Sequence, residues 1–166
     1  MIKMKQFDIY TDGSHLDKQN NGRLGVGGVL IDLSGPGMGS LLNKFSTELT
    51  PEYMNLTFGA SKCSNPSAEL VAVLHALYEF RGSWGPSDKL VIHADYLGVR
   101  EWMMGNWRVK EPYIARIKDD ITKEINKQGL QGRIEYKWVK GHQKFNGTDP
   151  DIYWNNYVDS LAKGKE

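Results

Sequence analysis

The sequence is poor in the features that staple or anchor proteins. Its single cysteine, Cys63, excludes an internal disulfide and a metal site built from cysteines. A reducing compartment or indifference to redox is expected, with Cys63 as a small core or loop residue. No stretch approaches the ~20 consecutive apolar residues that a membrane span needs. The opening MIKMKQFDIY also lacks the apolar core of a signal peptide. The expectation is a soluble, cytoplasmic protein with no membrane partner. An excess of either charge is missing too, since 21 Lys+Arg face 20 Asp+Glu. Overall charge therefore says nothing for or against nucleic acid. Acids gathered around metal ions would, however, leave the remaining surface more basic than the total implies. Nothing in the middle of the chain reads as a linker, and 166 residues at 40% hydrophobic content suffice for one core. One domain over 1–166 is expected, a monomer by default at this size.

What is present begins with FDIYTDGS. Phe7, Ile9 and Thr11 alternate with Asp8, Tyr10 and Asp12, the period of a half-buried strand, and Asp12-Gly13 is a turn signal. Asp12 is thus expected at a strand end; taken alone, it is equally readable as a turn aspartate satisfying its own backbone. The polar stretch at 15–23 leads to LGVGGVLIDL, a second strand of a hairpin. Gly25, Gly27 and Gly28 within it superficially suggest a phosphate loop. The Lys-Ser/Thr of such a loop is absent, so the glycines point to close backbone packing or a bulge. From Ser34 to Cys63 the pattern is weaker: SGPGMGS is a turn, LLNKFSTEL a third strand, and PEYMNLTFGA an inserted loop.

Periodicity strengthens beyond that point. Asn65 as N-cap and Pro66 at the first helical position open a helix with Leu70, Leu74 and Leu77 on one stripe and Glu69 in its first turn. KLVIHAD is a nearly continuous apolar strand, as found in parallel sheets, ending at Asp95. A helix through VREWMM follows, then an amphipathic one with Ile114, Ile117, Ile121 and Ile125 inward. IEYKWV is a fifth strand, GHQKFNGTDP a polar loop, and DIYWNNYVDSLAK a last helix with Trp154, Val158 and Leu161 on one face. The order β-β-β-α-β-α-α-β-α implies an α/β fold with a five-stranded mixed sheet flanked by helices.

Asp12 and Asp95 are both placed at strand ends, where open α/β sheets bind ligands. Glu69 opens the helix between those strands, and Asp159 lies one turn beyond Asn155 on the last helix. Acids brought together raise one another's pKa and are tolerable chiefly around cations. Oxygen ligands of this kind favour Mg²⁺ or Mn²⁺ over zinc. Each acid also has an ordinary alternative: Glu69 complementing a helix dipole, Asp95 capping a helix, Asp159 solvated. Spacing alone does not bring them together. His15, His75 and His93 read as structural.

YTDGS, SAEL, IHAD, WVKGH and NNYVDSLAK, in this order and in these strand and helix contexts, resemble the ribonuclease H (type 1) family over nearly the whole chain. That resemblance implies a ribonuclease H-like fold and an endonuclease that cuts the RNA strand of an RNA/DNA hybrid with two Mg²⁺ ions. It makes Asp12 the acid shared by both ions, and Glu69 and Asp95 ligands of the ion beside the leaving oxygen. Asp159 becomes a ligand on the nucleophile side. His142 resembles the family's mobile histidine in proton transfer and product release. Asn155 is expected to orient Asp159 or a metal-bound water, or to face solvent.

Departures concentrate on the substrate side. The family often has Thr-Asp-Ser where this chain has Ala94, Asp95 and Tyr96, and paired asparagines where it has Asn65 and Pro66. Leu97 stands where a polar residue is expected, and a basic protrusion is reduced to Arg108 and Lys110. Such polar groups read the hybrid's minor groove, so the metal site is better kept than the substrate reader. Substrate contacts are expected from Ser14, Asn65, Tyr96, Trp107, Lys144 and Asn155, with Lys144 meeting phosphate and Trp107 either stacking on substrate or buried in the core. Two competing readings are a non-catalytic hybrid-binding module on the same fold and a superfamily nuclease acting on DNA.

Overall fold

A computed structural model describes residues 4–17 and 22–165. Residues 18–21 of the expected polar connection lie outside the described residues. Three strands come first: β1 (Gln6–His15), β2 (Leu24–Asp32) and β3 (Ser40–Leu49). They form an antiparallel meander, with β2 in the middle. β4 (Lys89–Ala94) then pairs parallel to the free side of β1, and β5 (Ile134–Trp138) parallel to β4. The sheet order is β3-β2-β1-β4-β5, the five-stranded mixed sheet that the sequence implies. β1 is therefore the strand at which antiparallel pairing changes to parallel.

The helices divide between the two faces. α1 (Pro51–Phe58), α2 (Asn65–Glu79), α3 (Leu97–Met103) and α4 (Pro112–Lys127) precede β5, and α5 (Pro150–Ala162) closes the chain. Phe7 and Ile9 of β1 face the larger core, which holds Leu70, Leu74 and Leu77 of α2 and all four expected isoleucines of α4. Tyr10 faces the smaller one, with Trp154, Val158 and Leu161 of α5. Strand alternation thus sends Asp12, two residues beyond Tyr10, toward α5.

Three sequence expectations are corrected. PEYMNLTFGA is a helix for most of its length: the Thr50 hydroxyl accepts from the Tyr53 N–H, and Gly59 ends the helix at φ 72°. Only Met54 and Phe58 of α1 are buried, too sparse an apolar stripe to register as helical. The cap of α2 is Ser64, in a reciprocal pair with Ser67, and this moves Glu69 out of the first turn into the second. Lastly, Asp12-Gly13 is not a turn. β1 continues to His15, with Gly13 paired to Val26; what ends at Thr11–Ala94 is the parallel pairing with β4. The glycines of β2 do serve close packing, as expected.

Candidate active site

Glycine brings the acids together. A Cβ on Gly13 would lie 2.3–2.6 Å from Ala68 and Glu69 backbone atoms, so α2 can cross β1 at this height only over a glycine. That crossing sets Glu69 beside Asp12. The Gly13 N–H reaches both carboxylates, 3.0 Å from Asp12 Oδ1 and 3.3 Å from Glu69 Oε1. Gly27, the partner of Asp12 across β1 and β2, plays the same part for α5. Its Cβ would sit 2.7 Å from Leu161 Cβ and 3.0 Å from the Val158 carbonyl. Asp159 follows Val158 and is thereby brought to the same cleft as Asp12, near enough for its charge to raise the Asp12 carboxyl. Asp95 comes directly after β4, next to the last residue of the parallel pairing.

Asp12, Glu69 and Asp95 each present an oxygen within 4.8 Å of the others. Asp12 and Glu69 are only 3% and 5% exposed, so their charges are poorly solvated. Burial pushes the Asp12 carboxyl up to about 8, and the charges of Asp95 and Asp159 add to the rise against a lowering hydrogen bond with Glu69. Burial likewise raises Glu69 well above the usual range, helped by the Asp12 charge. Asp95 is raised by burial and by Asp159, while hydrogen bonds from Asp12 and Asn155 and the nearby His142 oppose this. The cluster is proton-hungry for want of positive charge. Glu69 Oε2 is buried without a hydrogen-bond partner among the described residues. An unsatisfied carboxylate oxygen on one of three closely set carboxylates fits a hard divalent cation held by oxygen alone.

The acids line a cleft of about 440 Å³ with Ser14, Asn65, Tyr96, Gly141 and His142. His142 is exposed at its rim, and Asn155 is buried against Asp95. Asn65 Oδ1 accepts from the His15 N–H at 3.0 Å, tying the start of α2 to the end of β1. Tyr96 links the cleft to a second groove of about 520 Å³, where it meets Trp102, Trp107, Arg108 and Lys110. Trp107 is 40% exposed there, its ring 6.1 Å from that of Trp102. Lys144 is exposed on the loop beyond His142 and does not line the cleft.

Two cleft residues escape the sequence reading. His15 lines it, with Nε2 buried and without a hydrogen-bond partner among the described residues, whereas the pattern gave no reason to single it out. Lys163 reaches Asp159 Oδ2 at 3.0 Å, an i,i+4 pairing that the helix spacing could have revealed. His93 is structural, as expected, but as part of a buried polar cluster. Its Nε2 lies 2.7 Å from Asp8 Oδ2, its ring stacks on Tyr10 at 4.2 Å, and Tyr10 donates to Asp151.

Carboxylates converge where the mixed sheet changes from antiparallel to parallel, a candidate cation-binding centre with the oxygen donors that phosphodiester hydrolases use. Comparison with known proteins makes the class specific. The RNase H family model matches residues 4–166, and the chain belongs to that family. Ribonuclease H of Verminephrobacter eiseniae is 31% identical over 97% of this chain and 96% of its own. Among solved structures, RNase H1 of Halobacterium salinarum superposes with a TM-score of 0.68 at 17% identity, covering 95% of this chain and 94% of that one. LC11-RNase H1 in complex with an RNA/DNA hybrid gives 0.70 at 19% identity, covering 96% and 95%. These likenesses bear out the ribonuclease H-like fold.

Proposed function

We propose that the protein is an endonuclease that hydrolyses the RNA strand of RNA/DNA hybrids, working as a single-domain monomer in the cytoplasm. The observation that carries this reading is the acid cluster itself, with Glu69 Oε2 buried and unsatisfied. Asp12, Glu69 and Asp95 would hold one Mg²⁺ ion and Asp12 with Asp159 a second, Mn²⁺ being an acceptable substitute. When bound, such a pair supplies a nucleophilic water at neutral pH and neutralises charge on the leaving oxygen. The chain's own residues do the rest. Asn155, buried beside Asp95, favours its charged carboxylate, and the Gly13 N–H holds Asp12 and Glu69 side by side. His142, at the open rim, takes up and returns a proton at its imidazole nitrogen as the scissile bond breaks and product leaves.

Substrate binding falls to the surface around the cleft. Ser14 and Asn65 line one wall, and Tyr96 leads into the aromatic groove. Trp107 offers a stacking face and Arg108 and Lys110 offer charge to a strand lying there. Lys144, exposed beyond the cleft, would meet phosphate. A parallel digest of labelled hybrid, duplex DNA and single-stranded RNA with Mg²⁺ tests the substrate class. Cleavage confined to the RNA of the hybrid is expected; cutting duplex DNA equally well would overturn the assignment.

A further inference from the structure

His142 is the only non-glycine residue with a positive φ, 56°, among the described residues. The left-handed region strains any residue carrying a Cβ, and such strain persists only where the surroundings impose it. Here the chain is gripped on both sides of the residue. Before it, Gly141 runs so close to Asp95 that a Cβ would lie 2.8 Å from Oδ2. After it, the Gln143 carbonyl accepts from Asn156 Nδ2 at 2.9 Å, and the Gln143 carboxamide donates back to the Lys140 carbonyl at 2.8 Å. Asn156 stands on α5 between Asn155, buried beside Asp95, and Asp159. The helix that carries one carboxylate of the cleft therefore also grips the loop of the histidine.

We infer that Asn156 is a positioning residue: by holding the Gln143 carbonyl it keeps the His142 backbone left-handed and aims the imidazole into the acid cleft. Released from that bond, the loop relaxes toward an ordinary negative φ. The ring then swings away from Asp95 while the carboxylates stay where they are. The inference rests on the reading that His142 serves hybrid cleavage, but the latch itself can be seen without any activity.

Asn156→Leu keeps roughly the same side-chain shape and removes the donor. It is expected to lower kcat on the hybrid about 10- to 100-fold, the scale of a small misplacement of a working group, with KM nearly unchanged. In a His142→Ala background the same substitution is expected to cost nothing further, since the residue it positions is gone. An unchanged kcat, or an equal loss with and without His142, overturns the latch. A merely structural role predicts that equal loss. The activity-independent reading is NMR of the His142 ring in metal-free protein, where Asn156→Leu should shift or broaden its resonances. Unchanged resonances also overturn the proposal. If Asn156→Leu fails to fold, Asn156→Ser is read by the same three measurements. If the wild-type protein leaves hybrids intact, the cleavage assignment falls and the ring resonances alone decide the latch.

Discussion

Asp12 is both the geometric centre of the cleft and its most revealing titration. Its carboxyl loses a proton near 3.8 when unfolded and near 8 when folded without metal, chiefly because burial strips its water. Across that window the folded state holds a proton that the unfolded state has released. Stability of metal-free protein must then fall as pH rises from about 4 to about 8, by roughly 1.4 kcal/mol per pH unit for each proton retained. Thermal melts in EDTA across this range should show the decline, and added Mg²⁺ should restore stability at pH 8. Asp12→Asn, with no charge to bury, is expected to melt higher than wild type at pH 8 in EDTA. A lower melting temperature would mean that the acid cluster is not strained by its own charge. Of the cleft residues, the four acids and His142 were legible in the sequence because family motifs mark them. His15 was not, because nothing local distinguishes a cleft-lining histidine from a solvated one.

At the scale of elements, α2 and α5 are set by what the strands lack. Gly13 and Gly27 let each helix approach the sheet closely enough to deliver a carboxylate. Gly27→Ala would push a methyl into Leu161 and the Val158 carbonyl, overpacking that typically costs about 1–3 kcal/mol. Urea unfolding should register the loss, and Mg²⁺-dependent cleavage should drop further than stability alone explains, because Asp159 moves with α5. The start of α2 makes a separate test. Ser64→Ala removes the cap and is expected to cost about 1 kcal/mol by the same urea assay. Long amphipathic elements such as α4 could be read directly from periodicity. α1 could not, since eight residues with two buried side chains carry little period. The Asp-Gly pair misled for an instructive reason: its glycine answers to a helix crossing above it, a tertiary demand that local turn preference does not contain.

Taken whole, the molecule is a sheet with its larger core on one face and α5 on the other, and the cleft opens where the two pairing senses meet at β1. The order of strands along the chain followed from the apolar patterns. β1, whose alternation reads as a half-buried strand, is instead buried on both faces because helices cover each side of the sheet. The convergence of the acids on one cleft did not follow from those patterns, because it depends on strand order β3-β2-β1-β4-β5 and on close helix approach. The proposed substrate face is where the chain departs most from the family's usual residues, at Tyr96 and Pro66, beside an aromatic groove that also holds Trp107. Trp107→Ala should raise KM for the hybrid about 5- to 150-fold while leaving kcat nearly intact, the loss expected when about 1–3 kcal/mol of base stacking is removed. Steady-state kinetics at fixed salt would measure it.

The central claim is that the carboxylates around Asp12 hold the cations that cut RNA in a hybrid. Its most direct measurement is cleavage of an end-labelled RNA strand annealed to DNA, by wild type and by Asp12→Asn, with Mg²⁺ and with EDTA. Wild type with Mg²⁺ should cut the RNA, EDTA should stop it, and Asp12→Asn should lose roughly 1,000-fold or more of the rate. An intact hybrid in the presence of wild type and Mg²⁺, or undiminished cleavage by Asp12→Asn, would contradict the account.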